Sequence, residues 1–323
     1  MRFGSNARMD ARERREEDGV KLERIVVAVD FSPSSIDAAH WIAGRVGPQA
    51  ELVLAHIIAI PDPPRTARAK FPQPEVLAET VRQGADRRLR ELSPSLGVGR
   101  IWLEIREGEM ARGLVEVARE YSADLLVVGA HGERKGVLSG LGGTAEAVVR
   151  LASMPVLVVV SPTQPPLRRI LVPVDDSDMT DRVLRVARAL GESSGADVTA
   201  LYVVGSAVMS HVLSATAMNT ASPEMAPDAL RERVRSDADG WMAGMLKAGA
   251  KEREGMKADI AFGDPAQEIV ATARAWSADL IVMGRRGAGN FRRAVLGSVV
   301  NGVLRHAPCP VLVCPSEDDA AAT

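Results

Sequence analysis

Ala278-Asp279-Leu280-Ile281-Val282-Met283, running into Gly284-Arg285-Arg286-Gly287 and, nine residues later, Gly297-Ser298, is the stretch that decides how this chain folds. The apolar run reads as a buried strand. A strand that ends in closely spaced glycines and resumes as a helix lets backbone N–H groups converge on an anion. The helix N-terminus adds its partial positive charge and its unpaired donors. The same arrangement occurs earlier, where Ala123-Asp124-Leu125-Leu126-Val127-Val128 leads into Gly129-Ala130-His131-Gly132 and, after nine residues, Gly142-Gly143.

These two ladders belong to a duplication of a whole domain. Arg24-Ile25-Val26-Val27-Ala28-Val29-Asp30 is echoed by Arg169-Ile170-Leu171-Val172-Pro173-Val174-Asp175, an offset of 145 (175 − 30). The ladders lie 155 apart (284 − 129), as do the terminal strands opening at Pro155 and Pro310. The second copy therefore carries about ten extra residues before its ladder and none after it. A repeat this long means two globular domains rather than a solenoid. The expected division is an extension over 1–22, a first domain over 23–160, a linker over 161–167, a second domain over 168–315 and a tail over 316–323.

Composition narrows the function classes. The chain has 323 residues, 46% of them hydrophobic and 3% aromatic, with a net charge of −2. So few aromatics make stacking platforms for single-stranded nucleic acid unexpected, and the near-neutral charge offers no general attraction to DNA or anionic membrane. No apolar run approaches a membrane span, since Leu52 to Ile60 is interrupted by His56 and stopped by Pro61. The N-terminal residues run into Arg12-Glu13-Arg14-Arg15-Glu16-Glu17-Asp18 instead of an apolar signal segment, so the expected compartment is the cytoplasm. Cys309 and Cys314 fall in the last strand-like run, at neither zinc nor redox spacing, and read as small buried hydrophobes. The five histidines (His40, His56, His131, His211 and His306) form no metal-ligand pair.

Strands and helices alternate in each half, which implies a parallel sheet covered by helices. In the first half the strands fall near 24–30, 51–58, 100–106, 124–129 and 155–160, and the helices near 34–46, 74–92, 110–121 and 142–152. In the second half the strands fall near 168–175, 196–204, 257–262, 279–284 and 310–314. The fold class is α/β, with two tandem doubly wound five-stranded parallel sheets. Asp264 and Glu109 read as caps of the third helix in each half.

In such a sheet the ligand sits beyond the strand C-termini, where the winding direction reverses. With strands one and four as neighbours, Asp30 and Asp175 each face their own glycine loop. Either carboxylate could accept from ribose hydroxyls or hold a magnesium ion that phosphates also bind. The competing reading makes Asp30-Phe31-Ser32 and Asp175-Asp176-Ser177 helix caps. Gly287 is expected to use a φ above zero and to lie outside the packing of the sheet. Arg134 and Lys135 in the first loop, and Arg285, Arg286, Arg292 and Arg293 in the second, put positive charge beside the cradle, which suits a polyphosphate.

Gly284, Gly287, Gly297 and Ser298, the first-strand Asp-x-Ser, and the closing Leu304-Arg305-His306-Ala307-Pro308-Cys309-Pro310-Val311-Leu312-Val313 resemble the universal stress protein family in its tandem two-domain form. The resemblance covers about 23–160 and 168–314, and its four-element glycine pattern is a specific signal. It implies a Rossmann-like, adenine-nucleotide α-hydrolase-like fold, with the halves packed as a pseudo-dimer through Val156–Val160 and Val311–Cys314. It also implies ATP, with or without magnesium at Asp30 or Asp175, as the ligand. Adenine-side contacts would fall on Ile57 and Val203, with Ala28 and Pro173 near the base. The implied second site comprises Pro173, Asp175, Val203, Met283, Gly284, Arg286, Gly287, Gly297, Ser298 and Val299. The implied first site comprises Ala28, Asp30, Ile57, Val128, Gly129, His131, Gly132, Gly142, Gly143 and Thr144.

The first half departs from the family pattern at Gly143, where the second has Ser298. Loss of one charge-assisted hydrogen bond costs about 1.5–3 kcal/mol, so the first site is expected to be the weaker by ten- to a hundredfold. No Walker lysine–serine pair and no nucleophile–base pair stands at recognisable spacing. The chain therefore reads as a nucleotide-responsive regulatory module of the stress response, a homodimer acting through an unidentified protein partner, rather than as a dedicated enzyme. The alternatives are a slow ATPase or phosphotransferase, with His131 or Arg286 positioning water, and a nucleotide-free scaffold acting through its interfaces.

Overall fold

The computed structural model of the chain describes residues 22–59, 74–132, 141–160, 162, 166–206, 227–248, 255–287 and 296–316. It divides into two compact units, with the division falling within the strand Val156–Val159. The first unit runs β1 (Arg24–Ala28), α1 (Pro33–Ala43), β2 (Glu51–Ile58), α2 (Pro74–Leu92), β3 (Arg100–Glu107), α3 (Met110–Glu120), β4 (Leu125–Gly129), α4 (Gly143–Leu151) and β5 (Val156–Val159). The second runs β6 (Arg169–Val174), α5 (Met179–Ser194), β7 (Asp197–Gly205), α6 (Pro227–Ala248), β8 (Lys257–Gly263), α7 (Pro265–Ala275), β9 (Leu280–Gly284), α8 (Ser298–His306) and β10 (Val311–Cys314).

Strand order is β3-β2-β1-β4-β5 in the first unit and β8-β7-β6-β9-β10 in the second. β1 pairs in parallel with β2 and β4, and β6 with β7 and β9. The winding therefore reverses at β1/β4 and again at β6/β9, as expected from the repeat. Helices cover both faces of a parallel sheet, so the inner strands β1, β4, β6 and β9 are continuous apolar runs rather than alternating ones. Ile25, Val26 and Val27 are fully buried in β1, as are Ile170, Leu171 and Val172 in β6.

Polar groups pin the N-terminal edge of each sheet. Asp124 Oδ2 accepts from the backbone N–H groups of Glu23 and Arg24, at 3.1 and 2.9 Å. Asp279 Oδ2 does the same for Arg168 and Arg169, at 2.8 and 3.0 Å. The aspartate that opens each apolar run thus locks strand four to strand one. Glu109 caps α3 by accepting from Ala111 N and Arg112 N, and Asp264 caps α7 by accepting from Gln267 N. Both acids do the structural work read from the sequence, at the positive end of a helix dipole.

Several expected limits move. β1 stops at Ala28, so Asp30 lies two residues past the strand it was expected to close, while Asp175 directly follows β6. α1 ends at Ala43, where the Gly44 N–H returns to His40 O, short of the expected 46. Cys309 precedes β10 instead of lying on it. Most residues between β2 and α2 and between β7 and α6 lie outside the described ones, as do Arg134, Lys135, Arg292, Arg293, His211, nearly all of both chain tails and most of the linker. No helix among the described residues is long and apolar enough to cross a membrane.

Cys309 and Cys314 are both free and buried. Burial is the main reason that each thiol is pushed up to about 12. At pH 8 a thiol of that pKa is ionised to about one part in ten thousand, and the thiolate is the nucleophile. Neither cysteine of the native protein is therefore expected to react with a thiol-directed disulfide reagent at pH 8, and both should react in denaturant. Absorbance of the released thiolate counts them.

Candidate functional site

The C-terminal ends of β6, β7 and β9 open into a cavity of about 280 Å3 in the second unit. Its walls include Pro173, Asp175, Val203, Met283, Gly284, Arg286, Gly287, Gly297, Ser298 and Val299, so one cavity collects all ten residues singled out for this half. Val174, Met179, Thr180, Val183, Leu201, Pro265, Ile269 and Val300 complete it.

The topology gives this cavity two different sides. β7 lies on one side of β6, and with α7 it supplies Leu201, Val203, Pro265 and Ile269, an apolar wall. On the other side, β9 and α8 supply Arg286, Gly287, Gly297 and Ser298. Asp175 stands between them, at the end of β6. α8 begins at Ser298 after Gly297, and no side chain of the described residues caps its first turn. Its leading N–H groups thus remain for an anion.

Asp175 is held in place. Its Oδ1 accepts from Ser177 Oγ at 2.5 Å, and its carbonyl accepts from Thr180 Oγ1 at 2.5 Å. A Cβ on Gly287 would run into Asp175 Oδ2. The carboxylate and the glycine loop therefore face one another across the crevice, as the neighbouring of strands one and four requires. In the first unit Asp30 Oδ1 accepts from both the N–H and the Oγ of Ser32, at 3.0 and 2.6 Å. A Cβ on Gly132 would come 3.0 Å from Asp30 Oδ2.

Helix capping falls on other residues than the aspartates. Ser32, not Asp30, is the N-cap of α1, accepting from Ser35 N at 3.2 Å, and Asp30 orients that serine. In the second unit the N-cap position is Asp178, whose side chain makes no cap hydrogen bond. Both aspartates are left facing the crevice.

Gly129, Gly132, Gly284 and Gly287 serve for space and not for handedness. None of Gly129, Gly132, Gly142, Gly143, Gly284, Gly287 or Gly297 has a positive φ, contrary to the expectation for Gly287. A Cβ on Gly129 would lie 2.8 Å from the backbone C and O of Ser34, and one on Gly284 would lie 3.0 Å from Met179 Cβ. These two strand-end glycines let the first turn of α1 or α5 abut the sheet. Gly132 and Gly287 make room beside a carboxylate.

The first site is built differently. His131 O accepts from Ser32 Oγ at 3.3 Å, and His131 N donates to Ser34 Oγ at 3.4 Å, so the loop is drawn onto α1. His131 is exposed where Arg286 is half-buried. Ile57 is 7% exposed, with a Cβ on Gly113 placed 3.0 Å from its Cδ1, whereas its counterpart Val203 is half-buried on the cavity wall. Gly142 closes onto Ala130 O at 2.8 Å, and a Cβ on Gly143 would meet nothing within 4 Å. Ala28 ends β1, Val128 precedes the terminal Gly129 of β4, and Thr144 follows Gly143 in the first turn of α4.

Leu201, Pro265, Ile269, Met179, Thr180 and Val183 were missed from sequence. The available signal was positional: Pro265 and Ile269 open the helix after the third strand, and Met179 to Val183 open the one after the first. In a doubly wound sheet both helix N-termini border the crevice.

The sequence model of the Universal stress protein family matches residues 21–160 and again 166–315, so the chain belongs to that family and carries its domain twice. A universal stress protein of Mycobacterium tuberculosis is 25% identical over 321 residues, covering 92% of this chain and 96% of that protein. A shorter one from Synechocystis is 27% identical over 148 residues, 45% of this chain and 96% of that protein. The crystal structure of a universal stress protein from Archaeoglobus fulgidus superposes with a TM-score of 0.66 at 19% identity, covering 91% of this chain and 99% of that one, which shows a shared fold.

Alanine substitutions separate the two glycine roles. Gly129→Ala meets backbone and should destabilise the first unit by about 1–3 kcal/mol, the usual cost of overpacking. Gly132→Ala meets only the end of a side chain and should stay within about 1 kcal/mol of the parent. Denaturant titration of the full chain reads both.

Proposed function

We propose that this protein is an ATP-binding universal stress protein whose principal site is the cavity of the second unit, and that it acts in the stress response as a nucleotide-responsive binding module. One observation carries the reading. An apolar wall, a fixed carboxylate and a helix N-terminus with no side-chain cap line a single cavity, in the order in which a base, a ribose and a phosphate chain would need them. Leu201, Val203, Pro265 and Ile269 would cover the base. Asp175 would accept from the ribose hydroxyls. Gly287, Gly297, Ser298 and the first turn of α8 would donate to phosphate, with Arg286 supplying charge.

Magnesium fits this chain less well. Among the described residues no three His, Cys, Asp or Glu side chains gather in one place. Asp175 is the one carboxylate among the described residues of the lining. An ion would have to arrive with the phosphates that supply most of its oxygens. The described residues of the lining include no second acid or base to activate water, which favours retention of ATP over its turnover.

Nucleotide released from gently purified, denatured protein should be identified by mass spectrometry as ATP or ADP, at about one per chain. In calorimetry on the full chain, Ser298→Ala should weaken ATP by about ten- to a hundredfold, the loss of one hydrogen bond to a charged group. Gly287→Val should abolish the strong site, since its side chain would push aside the Asp175 carboxylate, and should lower thermal unfolding modestly while the second unit stays folded. Gly143→Ser, for which there is open space, should strengthen the first site. Unchanged affinity in both Ser298→Ala and Gly287→Val would overturn the assignment, and rapid release of labelled phosphate would favour the hydrolase alternative.

A further inference from the structure

β3 is the outermost strand of the first unit, and among the described residues it pairs with β2 alone. An outer strand leaves a row of backbone N–H and C=O groups open to another strand, and proteins commonly defend such edges with lysine. The second unit does so. Its edge β8 begins with Lys257, which reaches Asp197 Oδ1 at 3.7 Å. Lys257 pairs with Thr199 across the sheet, and the equivalent pair in the first unit is Trp102 with Val53. Where one edge carries a lysine, the other thus carries a tryptophan, and Trp102 is 54% exposed.

The residues around Trp102 are charge-palindromic. They read Arg100-Ile101-Trp102-Leu103-Glu104. In an antiparallel pair of two such strands, centred on Trp102, each Arg100 lies opposite Glu104 of the second copy. Ile101 lies opposite Leu103, and the two tryptophans face one another. Opposite charges and aromatic pairs are the favourable cross-strand neighbours of antiparallel sheets. A two-fold axis requires self-complementarity of this kind.

The side chains are prepared for it. Arg100 uses one amine on Glu51, at 3.1 Å, and its side chain is 57% exposed, so further donors of its guanidinium face outward. Glu104, whose side chain is 22% exposed, is fixed by Arg106 at 2.8 Å and by Tyr121 Oη at 2.9 Å, one on each carboxylate oxygen, and each oxygen can accept a second hydrogen bond. Arg106 is in turn anchored by Glu120.

We propose that β3 is the homodimer interface of this protein, through which two copies join antiparallel about the Trp102 pair. The chain has no exposed thiol among the described residues, because both cysteines are buried. In Trp102→Cys the introduced thiol should therefore link two full-length chains under mild oxidation, seen as a reducible band of doubled mass. Trp102→Lys, which copies the second unit, should leave thermal unfolding unchanged and raise the dimer dissociation constant roughly thirtyfold or more, as loss of a central tryptophan does. Sedimentation velocity reads that shift. A full-length chain that is monomeric at micromolar concentration overturns the proposal. So does a dimer that neither weakens in Trp102→Lys nor crosslinks in Trp102→Cys. Dimerisation that appears only after removal of residues 1–21 would assign the edge to the chain's own N-terminal segment, and would likewise overturn it.

Discussion

Everything at the candidate site depends on a close approach that only glycine permits. Gly129 and Gly284 end the fourth strand of each unit, and any Cβ there would press on the first turn of α1 or α5. Because that turn can abut the strand, the loop after the first strand folds back over the sheet. Asp30 or Asp175 is then carried opposite the second ladder glycine. The reversal of winding supplies the crevice, and the two missing side chains set its width. One packing constraint thus serves both the core and the site.

The two units share this frame and differ in what fills it. In the second, Val203 withdraws enough to leave an apolar wall, Arg286 turns toward the cavity, and Ser298 adds a hydroxyl to an uncapped helix start. In the first, Ile57 is buried against α3, His131 is exposed, and the loop is tied to Ser32 and Ser34. Duplication supplied two equivalent crevices, and substitution at a few wall positions has made them unequal. The sheet edges diverged in the same way, since Trp102 and Lys257 occupy one topological position with an apolar ring in one unit and a charge in the other.

Much of this was legible along the chain. Each strand of the structure falls within one or two residues of its expected place, and the inner ones are the plainest, because strands buried on both faces need uninterrupted apolar character. Asp124 and Asp279 sit in otherwise apolar runs for a reason visible only in three dimensions, since their carboxylates accept from the backbone of a strand about 100 residues earlier. The glycine spacing located the loop and the helix start. It did not distinguish a glycine that admits a helix from one that faces a carboxylate.

The sequence by itself determined the duplication, the parallel α/β class, the places of the strands along the chain and the ladder residues, because each rests on local pattern and periodicity. Tertiary structure alone decided the apolar wall of Leu201, Pro265 and Ile269. These residues come from separate elements and look like ordinary core until the winding brings their ends to one rim. It also decided that Gly129, Gly132, Gly284 and Gly287 make room for a neighbour and do not serve backbone handedness. That Trp102 stands at an open edge was likewise a tertiary outcome, because exposure depends on which strand is left without a neighbour.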